Sequence, residues 1–581
     1  MTEKTESLSR RIAAARGEIP AELVLKDARI INVFTYEVEN ADIAVIDGMI
    51  AGVGEYTGKT EVDLHGSYVC PGLIDGHIHI ESSMLCGAAF EEAVLAHGTT
   101  AVITDPHEIS NVAGTEGLEF MLETTKNLNL SVYVMLPSCV PSTDLDESGA
   151  VLEAEELRPY YSNPRVLGLA EMMNSYGTVS GDTGILQKIR DCEDAGKIVD
   201  GHAPALSGKD LNAYCAAGVV SDHECSTVDE AMEKLRRGQY IMIREGTAAK
   251  NMDALMPLFK GPYCDRCMLV TDDKHPSDLL KVGHIDADIR KAIAAGVEPA
   301  VAVKMATLVP ARYFGLKNCG AVAPGYVADL VVVSDLENFT VDQVYKAGRL
   351  VAEHGRTLAS SGLEIDTTRF ASVMDSFDMD EITMQDLQLK ETGESERVIW
   401  LVDNELLTEE RIVPFRHHDG MAPGVDVEGS IVKLAVFERH HHTGHVGLGF
   451  LGNYSLKRGA VASSIAHDSH NLIIAGTNDA DMALAGNTVR KNKGGLAFVV
   501  DGQVVGELAL PVAGLMSTQN AQTVMEKMQS LKDAVRAYGI GEGIDPFMTL
   551  AFVSLPVIPK LRLNTYGVVD VDKHEIVPAV F

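Results

Sequence analysis

Eight short apolar runs alternate with helical stretches between residues 71 and 318, and this alternation constrains the fold more than any other feature. The first run leads into His77 and His79, and the other seven are residues 100–104, 130–136, 166–170, 198–201, 218–221, 240–243 and 268–271. Repeated β–α units form a parallel sheet, and eight of them close into a barrel. The sequence therefore predicts an α/β protein built on a (β/α)8 barrel.

Regions with a different pattern lie on both sides of the predicted barrel. Residues 7–16 have the pattern of a short amphipathic helix, and residues 23–64 carry short β runs separated by Gly and Asp, as in hairpins. A turn and a β run occupy residues 320–333, and the region after about residue 396 is long enough for a core of its own. We therefore expect five segments, which are residues 1–70, 71–318, 319–362, a linker over 363–395 and a C-terminal α+β domain over 396–581.

The net charge of −34 limits the partners that the protein is expected to bind. Duplex nucleic acid and anionic membranes need basic patches, so neither is expected as a partner. A neutral or cationic small molecule fits this charge better than an anionic one, although acidity that only keeps the protein in solution explains it equally well. No apolar run approaches the roughly 20 residues that cross a bilayer.

The N-terminal region and the cysteines indicate a cytoplasmic protein. Residues 1–17 are polar and lack the apolar core of a signal peptide. The nine cysteines are scattered and odd in number, which favours reduced thiols over a disulfide framework. Cys264 and Cys267 form a C-x-x-C, but no second pair follows at zinc-ribbon spacing, so we interpret them as part of a turn.

Side chains that bind metals stand at the ends of the predicted barrel strands. His77 and His79 are two residues apart, so in a strand their side chains share one face. The active sites of such barrels lie at the carboxyl ends of the strands. Imidazole and carboxylate groups suit zinc, iron or manganese. The candidate metal ligands, in chain order, are His77, His79, Glu171, His202, His223 and Asp272.

This ligand set predicts hydrolytic chemistry. The two oxygens of Glu171 can bridge two metal ions, which at roughly 3.5–4 Å apart would hold a hydroxide between them as the nucleophile. Asp272 is the candidate for carrying the proton to the leaving group, and the adjacent Asp273 is the residue with which it is most easily confused. Asp105 and His107 are candidates for contacting the substrate ring, although a plain strand-end turn explains them equally well. We thus expect Asp272, His107 and Glu171 to be catalytic, and His107, Asp105 and Asp273 to contact substrate.

Four stretches of the chain form a recognisable set. They are PGLIDGHIHIESSM at residues 71–84, TDPHEI at 104–109, VTDDKH at 270–275 and IAHDSHN at 465–471. Together they resemble bacterial adenine deaminases, a family within the amidohydrolase superfamily. The resemblance extends over nearly the whole chain, including the C-terminal region that most amidohydrolases lack. It implies that both flanks of the barrel join in one small β-sandwich, and that the six ligands hold a binuclear centre of manganese, iron or zinc. It also implies hydrolysis of adenine to hypoxanthine and ammonia in purine salvage, and a homo-oligomeric assembly.

Two histidine runs in the C-terminal region are not explained by the barrel site. One lies within residues 439–445, and the other contains His467, Asp468 and His470. Three interpretations of these runs are open. They could form part of the active-site wall, bind an additional metal ion or make contacts between subunits. Histidines without a ligand role are the default. Of the two runs, His467, Asp468 and His470 have the better claim to a function.

Two other kinds of function are compatible with the residue pattern. Similar ligands serve hydrolases of cyclic amides and N-acyl amines, such as dihydropyrimidinases and amino-sugar deacetylases, so the spacing alone does not select adenine. A non-catalytic metal-binding or purine-sensing scaffold would keep the ligands without turnover. The design of the Cys-ligated zinc deaminases does not apply, because their His-x-Glu…Pro-Cys-x-x-Cys signature is absent from the sequence.

Overall fold

The computed structural model describes residues 3–247, 249–358, 365–390, 392–403 and 405–581. Residues 359–364 and 391, which belong to the end of the predicted second flank and to the predicted linker, lie outside the described residues. The domain boundaries drawn from the sequence stay predictions, and the sheets and helices of each region are described in turn.

The predicted barrel is confirmed by eight parallel strands among the described residues. They are Leu73–Ile78, Thr99–Thr104, Ser131–Leu136, Val166–Met172, Ile198–Gly201, Ser221–Asp222, Tyr240–Arg244 and Cys267–Val270. The first five pair in order in one sheet, and the last three pair in a second sheet. Parallel bridges from Val199 to Val219 and from Ile78 to Asp272 join the two sheets at both edges. The curled sheet therefore closes on itself.

Helices connect and surround the barrel strands. The sixth strand is shorter than the predicted run 218–221, because Gly218 has φ +104°, outside the range of a regular strand. The apolar interior of the barrel includes Ile74, Ile103 and Met242. The α-helices of this region are Gly87–Leu95, His107–Thr124, Ala154–Leu157, Ser175–Ser180, Thr183–Asp194, Gly208–Ala216, Val228–Arg236, Met252–Leu255, Pro276–Lys281, Ile285–Ala294, Pro299–Met305 and Leu308–Tyr313.

A fully buried aspartate fastens the first barrel strand to the last. Asp75 accepts hydrogen bonds from the backbone N–H of His77 at 3.2 Å and from Thr271 Oγ1 at 2.5 Å. Its Oδ2 atom is also 3.0 Å from His284 Nε2. A buried carboxylate is stable only when its oxygens are hydrogen-bonded or paired. Asp75 therefore fixes the strand ends that carry His77 and Asp272.

The two flanks of the barrel hydrogen-bond into one small sheet. Strand Tyr68–Pro71 pairs with Ala21–Ile31 on one side and with Leu330–Asp335 on the other. The other strands of this sheet are Val38–Ile46, Met49–Gly54, Gly58–Asp63, Thr340–Lys346, Arg349–Glu353 and Arg356–Thr357. Helix Glu3–Ala15, predicted over residues 7–16, contributes Ala14 to a cluster of buried side chains on this sheet.

The C-terminal region is an α+β unit, as the sequence predicts. Its main sheet consists of Ser395–Leu401, Thr408–Pro414, Ile431–Phe437, Val446–Gly452, Ala460–Ser463, Leu472–Gly476, Gly495–Val500 and Gln503–Ala509. A smaller sheet contains Leu561–Asn564, Gly567–Asp570 and Glu575–Val577. The α-helices after the barrel flank are Ala371–Met374, Asp479–Lys491, Ala521–Arg536 and Met548–Val553.

A barrel loop over residues 143–149 holds the C-terminal unit against the barrel. Ser469 Oγ donates to Asp146 Oδ2 at 2.5 Å, and the side-chain amide of Asn471 donates to the Glu147 carbonyl at 2.7 Å. The side-chain amide of Asn564 donates to the Leu145 carbonyl at 2.5 Å. These contacts join segments that lie more than 300 residues apart in the chain. The C-terminal unit is therefore seated beside the ends of the barrel strands.

We expect Asp146 to make the stability of the protein depend on pH. Burial, with the charge of nearby Asp468, raises the pKa of Asp146 to about 7, whereas an unfolded Asp titrates near 3.9. The folded state then keeps a proton that the unfolded state has lost, so stability falls as the pH rises from about 4 to about 7. The Asp146→Asn variant lacks this proton. Between pH 5.5 and pH 8, the free energy of unfolding of the unaltered protein should therefore fall by about 2 kcal/mol more than that of the variant.

Urea unfolding of both proteins at the two pH values measures this difference. If the two proteins differed in stability by the same amount at pH 5.5 and at pH 8, the raised pKa of Asp146 would be contradicted.

No helix in the part of the chain that the structure describes is long and apolar enough to span a membrane.

Candidate metal centre

Glu171 is the central residue of a buried cluster at the carboxyl ends of the barrel strands. It lies within strand Val166–Met172 and is 4% exposed. Its Oε1 atom is 3.4 Å from His79 Nε2, whereas its Oε2 atom is 2.8 Å from His202 Nδ1 and 3.1 Å from His223 Nε2. The two oxygens face different histidines, which is the arrangement that a bridging carboxylate needs.

Asp272 completes the cluster from the end of the last strand. Its Oδ1 atom is 3.2 Å from His79 Nε2 and 3.7 Å from His77 Nε2. Its backbone N–H donates to the His77 carbonyl at 2.9 Å, and its φ of +59° is unusual for a residue other than glycine. Asp273 faces another direction and accepts a hydrogen bond from Ser82 Oγ at 2.5 Å. The geometry thus favours Asp272 over Asp273 as the residue beside the histidine pair.

The histidines have the orientation and the spacing that a divalent ion requires. His79 Nδ1 donates to the Asp105 carbonyl at 3.0 Å, so its Nε2 lone pair points into the cluster. His77 Nε2 is buried and has no hydrogen-bond partner among the residues that the structure describes. Ligand atoms bound at about 2.0–2.2 Å in a tetrahedral site lie about 3.3–3.6 Å from one another. Four separations around Glu171 and Asp272, of 3.1–3.7 Å, are close to that range, so these residues fit a metal. The fifth, 2.8 Å between His202 Nδ1 and Glu171 Oε2, is shorter and has the length of a direct hydrogen bond.

Two further residues of the cluster, Glu224 and Arg244, were not predicted from the sequence. Glu224 Oε1 is 3.2 Å from His223 Nε2 and 3.5 Å from His202 Nδ1. Arg244 Nη1 donates to Glu224 Oε1 and to Asp272 Oδ2, both at 2.5 Å. Their positions in the sequence could have indicated them, because Glu224 directly follows His223 and Arg244 is the last residue of strand Tyr240–Arg244.

The charges of the cluster stabilise ionised carboxylates. Burial alone would raise the pKa of Asp272, but the Arg244 guanidinium and the adjacent imidazoles of His77 and His79 hold it well below its usual range. Burial would likewise raise the pKa of Glu224, yet the charges of His202 and Arg244 lower it to about 2. Both carboxylates are therefore available as anionic ligands at neutral pH.

A buried ion pair positions the loops that carry His202 and His223. Lys234 Nζ donates to Asp222 Oδ2 at 2.9 Å and to the Ala203 carbonyl at 2.6 Å. Asp222 Oδ1 in turn accepts the backbone N–H of Ala203 at 2.7 Å. Lys234 and Asp222 are both fully buried, so this network links the fifth and sixth strand ends behind the two histidines.

Asp105 and His107 adjoin the cluster at the end of the second strand. Asp105 Oδ2 is 3.0 Å from His107 Nδ1, and the same nitrogen is 3.5 Å from Glu171 Oε1. Burial would lower the pKa of His107, but the Asp105 carboxylate holds it well above its usual value. The geometry is consistent with both predicted roles, as a charged donor to substrate and as a catalytic residue, and these roles stay predictions.

The second histidine run of the C-terminal unit faces this same end of the barrel. Asp468 Oδ1 is 3.9 Å from His107 Nε2, and His467 Nδ1 is 3.5 Å from Glu108 Oε1. His470 Nε2 lies 3.8 Å from Glu108 Oε2, while its Nδ1 accepts the Ala466 N–H at 3.2 Å. A neutral His470 therefore carries its proton on Nε2. Glu108, His467 and His470 nevertheless place ligand atoms close enough together for a metal ion, so the active-site wall and the additional metal site both stay predictions.

The first histidine run makes contacts within the chain. His440 Nε2 donates to the Ser469 carbonyl at 2.7 Å, and His441 Nε2 donates to the Ser148 carbonyl at 3.1 Å. His445 Nδ1 is 2.8 Å from Glu147 Oε1. His441 and His445 thus help to hold the C-terminal unit on the barrel, whereas the His440 contact lies within that unit.

The chain is similar to known proteins in both its barrel region and its C-terminal region. The family model described as amidohydrolase family matches residues 68–351, and the model described as adenine deaminase C-terminal domain matches residues 405–575. A relative from Carboxydothermus hydrogenoformans named adenine deaminase 2 is 47% identical over 98% of this chain and 98% of its own. A Geobacillus kaustophilus adenine deaminase is 42% identical over 98% of this chain and 99% of its own. Among solved structures, the β-aspartyl dipeptidase of Fervidobacterium islandicum matches 58% of this chain and 98% of its own, with 19% identity and a TM-score of 0.45.

The closed barrel and its buried histidine–carboxylate cluster define an amidohydrolase-type metal-dependent hydrolase. Within that class, the chain belongs to the adenine deaminase family, because its relatives match it over nearly the full length of both chains.

Proposed function

We propose that this protein hydrolyses adenine to hypoxanthine and ammonia. The observation that carries the proposal is the 47% identity, over 98% of the chain, to a relative named adenine deaminase. The buried ligand cluster around Glu171 supplies the chemistry that this reaction needs. Hydrolysis of cyclic amides or N-acyl amines is not favoured, because the relatives from C. hydrogenoformans and G. kaustophilus carry the adenine deaminase name.

We propose that the cofactor is a binuclear centre of manganese, iron or zinc. Bound metal would act as a Lewis acid and lower the pKa of water to near 7. Glu171 is suited to bridge two ions, since its oxygens face separate histidines. The residues that would hold the metal are His77, His79, Glu171, His202, His223 and Asp272.

Two side chains are proposed to move protons during the reaction. Water adds to C6 of adenine, the C6–N bond breaks, and ammonia leaves without any change of oxidation state. Asp272 takes a proton from water and gives it to the departing amine, while a hydrogen bond from Arg244 to its Oδ2 atom holds the carboxylate in place. His107 donates a proton to N1 of the ring, since the Asp105 carboxylate keeps its imidazole charged. It regains a proton when the hydroxyl added at C6 loses its own and becomes the carbonyl of hypoxanthine.

A cytoplasmic location and a homo-oligomeric assembly complete the proposal. All nine cysteines are free thiols, which agrees with a reducing compartment. Adenine is the proposed partner, while the charge of −34 argues against nucleic acid and anionic membrane surfaces.

We expect the purified protein, loaded with Mn²⁺, to release one ammonia for each adenine and to convert the absorbance spectrum of adenine into that of hypoxanthine. Chelation should abolish the activity, and Mn²⁺ added back should restore it. Dihydrouracil, a cyclic amide, serves as the control substrate and should yield no carboxylate. An unchanged adenine spectrum with fully metal-loaded protein would reject the proposed function.

A further inference from the structure

His202 is the least buried of the six residues that are proposed to hold metal. Its side chain is 24% exposed, whereas the side chains of the other five are 2–6% exposed. A side chain in a well-packed interior is held close to one rotamer by the atoms around it. Because His202 has less of this packing, the position of its ring depends more on how its backbone is fixed.

The fourth and fifth barrel strands lose their regular pairing beside the metal cluster. Strands Val166–Met172 and Ile198–Gly201 are parallel, but the register between them shifts by one residue near their carboxyl ends. At this shift, Ala170 and Glu171 stand opposite a single residue, Asp200. An extra residue of this kind interrupts the hydrogen-bond ladder and re-aims a side chain. The ladder is therefore weakened at the point where it would fix Glu171 relative to the end of the fifth strand.

A buried tyrosine hydroxyl bridges the two strands at this interruption. Tyr214 lies in helix Gly208–Ala216 and is fully buried. Its hydroxyl donates to the Met172 carbonyl at 2.7 Å and accepts the backbone N–H of His202 at 3.0 Å. The His202 carbonyl lies farther from the same hydroxyl, at 3.4 Å. One oxygen atom thus ties the residue that follows Glu171 to the backbone of His202.

The residue after His202 is anchored from the other side. The backbone N–H of Ala203 donates to Oδ1 of Asp222 at 2.7 Å. Asp222 is the last residue of the sixth strand and directly precedes His223. Asp222 thus fixes this segment relative to the sixth strand, whereas Tyr214 fixes it relative to the fourth. Without the Tyr214 hydroxyl, the first of these anchors would remain and the second would be lost.

We propose that Tyr214 is a positioning residue that sets the separation of Glu171 and His202, and with it the affinity of the protein for one of its two metal ions. This inference rests on the proposed binuclear centre. The ion concerned is the one that His202, His223 and Oε2 of Glu171 would hold. The two histidines of the first strand would hold the other ion, whereas the Tyr214 hydroxyl bonds to the fourth strand and to the residue that follows the fifth.

The test compares full-length Tyr214→Phe with the unaltered chain over a range of free Mn²⁺ concentrations. The substitution removes one oxygen atom and keeps the ring, so the Met172 carbonyl and the His202 N–H lose a shared partner. Changing an outer partner of a metal site costs roughly 10–100-fold in affinity. Equilibrium dialysis with elemental analysis should show one Mn²⁺ bound as in the unaltered chain and the second bound about 10–100-fold more weakly. At saturating Mn²⁺, kcat for adenine should change less than about threefold.

Tyr454→Phe is the matched control. Tyr454 is also fully buried, and its hydroxyl donates to the Pro546 carbonyl at 2.6 Å within the C-terminal unit. This variant loses the same atom and a hydrogen bond to a backbone carbonyl, so it reports the effect of a lost buried hydroxyl on the protein as a whole. It should bind both Mn²⁺ ions with the affinities of the unaltered chain.

The possible outcomes separate this inference from the proposed function. If Tyr214→Phe bound both ions normally, or bound both equally weakly, the inference would be overturned, and so would it be by an equal effect in Tyr454→Phe. A Tyr214→Phe protein that did not fold, judged by circular dichroism, would assign the hydroxyl to the fold and would also overturn it. An unaltered chain that bound fewer than two Mn²⁺ ions would reject the binuclear centre and this inference with it. If the unaltered chain bound two Mn²⁺ ions without turning over adenine, the proposed function would fail, whereas the binding comparison would still decide the role of Tyr214.

Discussion

Glu171→Gln is expected to lose most of its bound metal and to show no measurable turnover of adenine. The substitution removes the negative charge and replaces one carboxylate oxygen by an amide NH₂, which cannot bind a cation. The remaining oxygen cannot face His79 and the pair His202/His223 at once, as the carboxylate does. Changing an outer partner of a metal site costs roughly 10–100-fold in affinity or activity, so a central ligand should cost more than that.

Elemental analysis after dialysis, paired with the ammonia assay, measures both effects. Glu245→Gln is the control, because Glu245 is also a mostly buried carboxylate at a strand end but pairs with Lys291 at 3.0 Å. It should keep the metal content and the activity of the unaltered protein. A Glu171→Gln protein with full metal content and normal turnover would contradict the bridging role.

Asp272→Asn is expected to lower kcat by about 10²–10⁴-fold, the range that a general acid–base group contributes. The amide cannot accept a proton from water and pass it to the departing amine. Because His77, His79, Glu171, His202 and His223 are unchanged, we expect a substantial part of the metal to remain. The measurement is kcat at saturating adenine, together with metal content by elemental analysis.

Asp273→Asn provides the matched comparison for this prediction. Asp273 accepts a hydrogen bond from Ser82 and is a predicted substrate contact, so its substitution should act mainly on KM. If Asp273→Asn lost more of kcat than Asp272→Asn did, the two neighbouring aspartates would have to exchange roles. The two variants thus show which of the two adjacent aspartates carries the proton, a choice that the sequence alone leaves open.

The residues around Glu171 could be predicted because two simple rules apply to them. In a strand, every second side chain shares a face, which groups His77 with His79. In a β/α barrel, the carboxyl ends of all strands meet at one face, which adds Glu171, His202, His223 and Asp272. Neither rule needs the three-dimensional path of the loops.

Glu224 and Arg244 were missed because their contacts depend on the curvature of the barrel. Arg244 reaches Glu224 and Asp272 across neighbouring strands, and no periodicity links residues at those separations. The sixth strand was predicted too long, since an apolar run does not reveal that Gly218 has a positive φ. The partner of His467 was also hidden, because Glu108 lies about 360 residues earlier and meets it only when two separate units pack together.

The small sheet built from both flanks has a consequence for synthesis of the chain on the ribosome. Strand Tyr68–Pro71 emerges about 260 residues before its partner Leu330–Asp335. At 5–20 residues per second, its outer edge waits roughly 13–50 s for that partner. During this interval its free N–H and C=O groups form an open edge of the kind that attracts other nascent strands. A chain interrupted before Leu330 would keep that edge permanently, and it would be a natural substrate for chaperones and proteases.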